Sequence, residues 1–267
     1  MDRKSYEDIG VAVSDRIATI EIQRPPHNFF DVALIHQIVD ALKTIDEDPE
    51  CRVSVLCSEG KAFCAGANFG SGEELDEKGQ FKNHSDQERV RNLYMEAARL
   101  FDCKKPIIGA IEGPAIGGGL GLAMVADFRV TCPEARFSAN FTRLGFHPGF
   151  GLTETLPAVV GQQKANLILL TSRRFKGEEA YAMGLADILV PQREVRTVAR
   201  SLAGEIAENS PLGIQETRAT MRSGIGDRVR AATARELEIQ TRLKATADFK
   251  EGVSAMSERR LPNFSGF

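Results

Sequence analysis

A chain of 267 residues, 42% hydrophobic and 27% charged, has the composition of a soluble globular protein, long enough for one large domain or a domain with a helical appendix. Its 34 lysines and arginines are scattered and face 37 acids, for a net charge of -3, which argues against a nucleic-acid groove or an anionic membrane as the main partner. Five cysteines, with no CxxC pair, read as packed, reduced thiols rather than a disulfide framework or a zinc site.

The opening MDRKSYEDIG is charged and lacks the apolar segment of a signal peptide, and no apolar run approaches the roughly 20 residues that span a bilayer. A cytoplasmic location is expected. VAVSDRIATIEI, from Val11 to Ile22, holds two alternating runs around Ser14 and Asp15, the pattern of a β-hairpin. RPPHNFF then breaks regular structure. From Asp31, a plausible helix cap, Ile35, Ile38, Val39, Leu42 and Ile45 recur at helical spacing. RVSVLCSEG is a short buried strand, KAFCAGANFGSG a glycine-bearing loop, and Glu73 to Glu88 a polar, mobile stretch. Val90 to Phe101 has a helical pattern, KKPIIGAIEG and FRVTC are strands, and LGLAMVAD between them is a helix.

Strand and helix in alternation imply βαβ crossovers and a largely parallel sheet covered by helices. After Gly151 the strand signal fades and helices dominate, ending in Val229 to Phe249 with a stripe of Ala232, Leu237, Ile239 and Leu243. The expected division is an α/β core over 1–195 and a helical C-terminal region over 196–267.

Gly117, Gly118 and Gly119 follow a strand and open a helix. The first amides of a helix have no intrahelical partner and carry partial positive charge. Without a Cβ in the way, such a backbone suits an anion, or a carbonyl oxygen that becomes one. Close packing of helix on strand explains the glycines equally well. The run matches neither GxGxxG nor GxxxxGK[ST], so a dinucleotide or P-loop phosphate site is not expected. AFCAGAN is a second loop of small residues, in which Ala65, Gly66 and Ala67 can bare another amide. Two convergent amides make an oxyanion hole, worth roughly two to three decades in rate per donor.

In order along the chain, GKAFCAGANF, KKPIIGAIEGPAIGGGLGLAMVADFRV, ARFSANFTRLGFHPGFGLTETLPAVVG, GEEAYAMGLADILVP and FKEGVSAMSERRLPNF resemble the crotonase superfamily, the enoyl-CoA hydratases and isomerases. The resemblance covers nearly the whole chain. It implies a crotonase-like spiral of ββα turns with a helical C-terminal region that makes trimers, often paired into hexamers. It also implies an acyl-CoA thioester with its carbonyl between the amides of Ala67 and Gly118, beside Ala65, Gly66 and Gly117. His27, Lys61 and Lys250 fall where such proteins approach CoA. No metal and no permanently bound cofactor is implied; CoA arrives as part of the substrate.

In the hydratases of this family two glutamates hold the added water. The resemblance puts those positions at Gly121 and Phe141, neither of which transfers a proton. The family's dehalogenases place a nucleophilic aspartate where this chain has Pro148 and Gly149. The nearby polar residues are Asn140, Thr142, Arg143 and His147. His147 has a suitable intrinsic pKa for acid–base work, with a turn-holding role as its alternative. Asn140 and Phe141 are candidate acyl contacts, Glu154 a second candidate acid, and Glu112 a turn residue. The expected function is therefore an acyl-CoA enzyme with an enolate-stabilising oxyanion hole and doubtful hydratase activity. The alternatives are decarboxylation, hydrolysis or C–C cleavage of an acyl-CoA, or acyl-CoA binding without catalysis.

Overall fold

The computed structural model describes residues 5–67 and 93–267. The polar stretch Glu73 to Glu88 lies outside the described residues, as do Asn68 and the start of the helix expected from Val90. The hairpin forms as read: β1 (Ile9–Ser14) and β2 (Ile17–Ile22) pair antiparallel, with Ser14 opposite Ile17. Asp15 and Arg16, at φ 52° and 66°, make the two-residue turn whose left-handed backbone matches strand twist. Asp31 caps α1 (Val32–Glu47), its carboxylate accepting from the Leu34 amide at 2.9 Å. The apolar stripe of α1 from Leu34 to Ile45 is buried.

β3 (Val53–Ser58) is buried along its whole length and runs parallel to β2. A helical segment over 93–99, α2, leads through a short turn at Leu100–Asp102 into β4 (Ile107–Ile111), then β5 (Ala115–Ile116). α3 (Gly118–Ala123) connects to β6 (Phe128–Thr131), followed by β7 (Arg136–Ser138). Next come α4 (Leu152–Val160), α5 (Gln162–Thr171), β8 (Phe175–Lys176), α6 (Gly177–Ala182) and β9 (Ile188–Leu189). The chain ends in α7 (Val195–Ala207), α8 (Pro211–Met221), α9 (Ile225–Lys244) and α10 (Ala247–Ser257).

Two sheets result. One has the order β1-β2-β3-β4-β6-β9, parallel apart from the hairpin; the other has the order β5-β7-β8. From β4 onward the chain visits the sheets in turn, β4 and β6 in the first, β5 and β7 in the second, which winds the backbone into a spiral. The second sheet escaped the sequence reading because its strands have only two or three residues, too short to show a period. α7 packs across β3, β4 and β6, closing one face of the large sheet.

The C-terminal helices correct the sequence reading in two places. Val229 to Phe249 is not one helix: α9 ends at Lys244, and Thr246 starts α10 by accepting from the Phe249 amide at 3.2 Å. The stripe that α9 turns inward is Val229, Thr233, Glu236, Gln240 and Lys244, while Ala232, Leu237, Ile239 and Leu243 are only half-buried. A hydrophobic pattern locates the apolar face, but here polar groups with partners inside the fold take the interior. All five cysteines are buried and none forms a disulfide. Among the described residues no helix is long and apolar enough to cross a membrane.

Phe249, an apolar residue of the helices that the resemblance assigns to trimer formation, does not face another subunit. It is instead a core residue, 1% exposed, its ring edge-on to Phe146 at 5.3 Å. Phe249→Ala is expected to cost about 3–5 kcal/mol, as for other buried large-to-small changes. Urea unfolding at two widely separated protein concentrations checks this: a core role gives the same loss at both.

Candidate active site

Two loops meet at the N-terminus of α3, and backbone contacts bring them there. The 62–67 loop runs beside β5: Cys64 donates its amide to Pro114 O at 3.1 Å, and Ile116 donates to Cys64 O at 3.0 Å. A side chain on Gly119 would collide with the Cys64 carbonyl, so only glycine permits this approach. Gly66, at φ +89°, presses equally closely: a Cβ there would stand 2.8 Å from Ile116 O and 3.7 Å from the Gly118 nitrogen. Gly117 anchors the other loop by donating to Ser138 O at 2.8 Å, and α3 begins directly after it. The glycines thus serve close packing and exposure of the backbone together. Among the described residues, neither the Ala67 amide nor the Gly118 amide has a hydrogen-bond partner, and both residues are half-buried.

A third segment braces the first loop. Asn28, fully buried at φ 51°, donates its carboxamide to Glu59 O at 2.6 Å and Ala62 O at 2.7 Å, and accepts from the Arg24 amide at 2.9 Å. On either side of it, Ala65 donates to His27 O and Phe30 to Gly66 O, both at 3.0 Å. Sequence reasoning passed over Asn28. Its one signal was an asparagine, tolerant of a left-handed backbone, just after two prolines.

Phe30 and Phe150 cover the exposed face of α3, crossing edge to face with ring centroids 5.5 Å apart. A Cβ on Gly118 would collide with the Phe30 ring tip, and one on Gly121 would stand 2.6 Å from Phe150 Cβ, Cγ and Cδ1. The space of a side chain at 121 is therefore already filled. Phe141, 7% exposed, packs edge to face on Phe146 at 5.5 Å, with its ring tip toward Gly117. Asn140 is half-buried, its Oδ1 3.2 Å from where a Cβ on Gly117 would be. Asn140 and Phe141 thus lie beside Gly117.

The other candidates are placed differently. His147 is half-buried, with Nδ1 2.8 Å from Pro148 O; none of its described contacts is to α3. Glu154 pairs with Arg228 of α9 at 2.7 Å, which draws its carboxylate across the α4–α9 surface. His27 is exposed, its ring tilted on Phe29 at 5.4 Å. Lys61 and Lys250 are exposed, and no described contact joins them to each other or to the loops' free amides. Glu112 sits in the turn after β4 and pairs with Arg196 of α7 at 2.9 Å. Thr142 shares a 2.6 Å hydrogen bond with Ser172 and serves the turn after β7. Burial pushes the Cys64 thiol up to about 12, which removes it as a nucleophile.

Glu236 was missed altogether. Only 1% exposed, it accepts from the amides of Gly151 at 2.8 Å and Thr153 at 3.0 Å, and from Thr153 Oγ1 at 2.6 Å. Gly151, the cap residue of α4, has no side chain, and α9 supplies the missing carboxylate from 85 residues away. Gln240, one turn on, donates to His147 O at 2.8 Å and accepts from Tyr94 OH at 2.5 Å. Burial raises the Glu236 pKa above 4.5, and the opposing pull of its three donors and of nearby His147 is smaller.

A sequence profile of the enoyl-CoA hydratase/isomerase family matches residues 12–266. The chain is 30% identical over 263 residues to the crotonyl-CoA hydratase of Syntrophomonas wolfei, covering 97% of this chain and 98% of that one. It is 31% identical over 257 residues to the 2,3-dehydroadipyl-CoA hydratase of Escherichia coli, covering 96% and 98%. The crystal structure of an enoyl-CoA hydratase/isomerase from Pseudoalteromonas atlantica superposes with a TM-score of 0.82 at 28% identity, over 97% of this chain and all of that one. The fold is the crotonase-like α/β spiral with C-terminal helices. The chain belongs to the enoyl-CoA hydratase/isomerase family.

Two measurements check this geometry. Asn28→Ala removes the hydrogen bonds to Glu59 O, Ala62 O and the Arg24 amide, of which only Ala62 O keeps another partner among the described residues, Ser58 Oγ at 3.1 Å, and is expected to cost about 3 kcal/mol in chemical denaturation. For Glu236, a raised folded pKa means that its contribution to stability is full below the unfolded value near 4.5 and is lost as pH rises through the folded value. Glu236→Gln removes this dependence. The difference in unfolding free energy between wild type and variant should therefore shift against wild type across that window.

Proposed function

We propose that the protein is an acyl-CoA enzyme whose oxyanion hole is formed by the backbone amides of Ala67 and Gly118. What supports this reading is that, among the described residues, neither amide has a hydrogen-bond partner, and that Gly66, next to Ala67, closely approaches Ile116 O and the Gly118 nitrogen. A thioester carbonyl placed between them gains two hydrogen bonds that strengthen as negative charge develops on its oxygen, so the enolate is favoured over the ground state. Gly118 adds the partial positive charge of the α3 N-terminus. Ala65, Gly66 and Gly117 shape the backbone around the thioester, while Asn140 and Phe141 contact the acyl group. His27, Lys61 and Lys250 lie toward CoA, which enters and leaves as part of substrate and product.

The relatives named above are hydratases, yet water addition is disfavoured here. It needs one group to take a proton from water and another to supply one to the α carbon. Gly121 has no side chain and no room for one beside Phe150, and Phe141 is a hydrocarbon ring. Within this reading His147 is the first candidate acid–base group. Glu154, held by Arg228, is the weaker one. Reactions that form an enolate without removing a proton, such as decarboxylation of an acyl-CoA, ask least of this site.

The assembly proposed is a trimer or a dimer of trimers, with exposed Leu170, Leu212 and Met221 as apolar surface to be covered. Sedimentation giving a monomer at micromolar concentration would remove it.

The decisive experiment has two arms. Butyryl-CoA should bind by calorimetry, and Gly118→Pro, which deletes one donor and also drives side-chain atoms against the Phe30 ring, should abolish that binding and lower stability. Crotonyl-CoA should bind but be hydrated very weakly. Efficient hydration that survives His147→Ala and Glu154→Gln would overturn the assignment of positions 121 and 141. Absence of any acyl-CoA binding would overturn the oxyanion hole itself.

A further inference from the structure

We infer that Phe150 limits the depth of the acyl site and that Glu236 of α9 is the positioning residue that holds it there; this rests on the reading of Ala67 and Gly118 as the carbonyl site. Gly118 and Gly121 are three residues apart on α3 and so share one face, separated by a rise of about 4.5 Å. The Phe150 ring spans both: its Cδ2 lies 3.5 Å from a Cβ placed on Gly118, and its Cγ and Cδ1 lie 2.6 Å from one placed on Gly121. An acyl group whose oxygen meets the Gly118 amide extends its carbons over that same distance. The ring therefore closes the site one helical turn from the donor, and Phe30, edge-on to it, closes the flank.

Phe150 does not hold this position by itself. Its φ of 62° is a left-handed conformation that an aromatic residue rarely adopts, and such a conformation persists only where its surroundings impose it. Here α9 grips the chain on both sides of it. After Phe150, Glu236 takes the amides of Gly151 and Thr153 and the Thr153 hydroxyl. Before it, Gln240 takes His147 O, and Gly149 is hemmed in by Tyr94 and Gln240 so tightly that a Cβ would strike both. With the 147–153 turn fixed at both ends, the ring has one place to go. Glu236 and Gln240 belong to the inward polar stripe of α9, so the C-terminal helix sets the depth of a site built by the spiral. The substrate class this implies is a CoA thioester with a short or compact acyl group.

The test measures binding of two saturated thioesters, butyryl-CoA and octanoyl-CoA, by calorimetry, so that it is independent of which reaction is catalysed. Wild type should favour butyryl-CoA. Phe150→Ala should shift the affinity ratio about tenfold toward octanoyl-CoA; Phe150→Leu, which keeps the core filled, should shift it less in the same direction. Glu236→Gln should shift the ratio about threefold the same way, and should have no further effect in the Phe150→Ala background. A Glu236 that only stabilises the fold would instead weaken both ligands equally. An unchanged ratio in both Phe150 variants overturns the depth limit, and a Glu236 effect that persists without the Phe150 ring overturns the positioning role. If wild type binds neither thioester, the carbonyl site itself is wrong and the inference falls with it.

Discussion

The close contact between the 62–67 loop and the start of α3 is the constraint on which the site depends. Cys64 O receives the Ile116 amide and faces Gly119 at a distance that excludes any side chain. Gly66 meets Ile116 O just as closely. Backbones approach to this degree only where Cβ atoms are missing, and among the described residues the amides of Ala67, next to Gly66, and of Gly118 have no hydrogen-bond partner. An unpaired, half-buried amide costs free energy in the absence of a ligand. The fold tolerates two of them because strands β3, β4 and β5 and the buried Asn28 hold the surrounding loops in place.

Around that backbone feature the side chains are mostly apolar. Phe30 and Phe150 lie over α3, and Phe141, Phe146 and Phe249 form a chain of edge-to-face contacts leading to α10. On the proposed reading, a site of this kind stabilises charge through fixed dipoles and supplies few protons. Low local polarity strengthens each backbone hydrogen bond to a developing oxyanion, since little water competes. The aromatic wall is continuous with the filled space at Gly121, where Phe150 leaves no room for a side chain. Asn140 lies beside Gly117, whereas Glu236, Gln240 and Tyr94 lie behind the wall and bond to backbone and to each other.

The middle of the chain is coupled to its C-terminal helices through α9. Its inward face is polar where an ordinary amphipathic helix would be apolar, because the 147–153 turn presents amides and a carbonyl that need partners. The half-buried Leu237, Ile239 and Leu243 are left on the flanks of the same helix. Sequence periodicity picked out those apolar residues but not the polar face that turns inward. Which face goes inward was decided by hydrogen bonds to a segment some 85 residues earlier, and no local pattern encodes these.

Much of the protein was nonetheless legible in its residues. The hairpin, the Asp31 cap, α1, the buried strands β3, β4 and β6 and the glycine-led α3 all follow from local rules: turn residues, a capping carboxylate, a 3.6-residue period, short apolar runs. The family could be read from the order of its motifs, and the candidate amides from two loops of small residues. Three features required the tertiary structure. The β5-β7-β8 sheet is built from strands too short to carry a period. Asn28 and Glu236 matter through carbonyls and amides distant in sequence. Phe150 fills the space above Gly121, which the sequence shows only as a missing side chain. Local interactions leave a periodic trace along the chain, whereas the partner of a buried polar group and the occupant of a cavity are fixed only when distant segments meet.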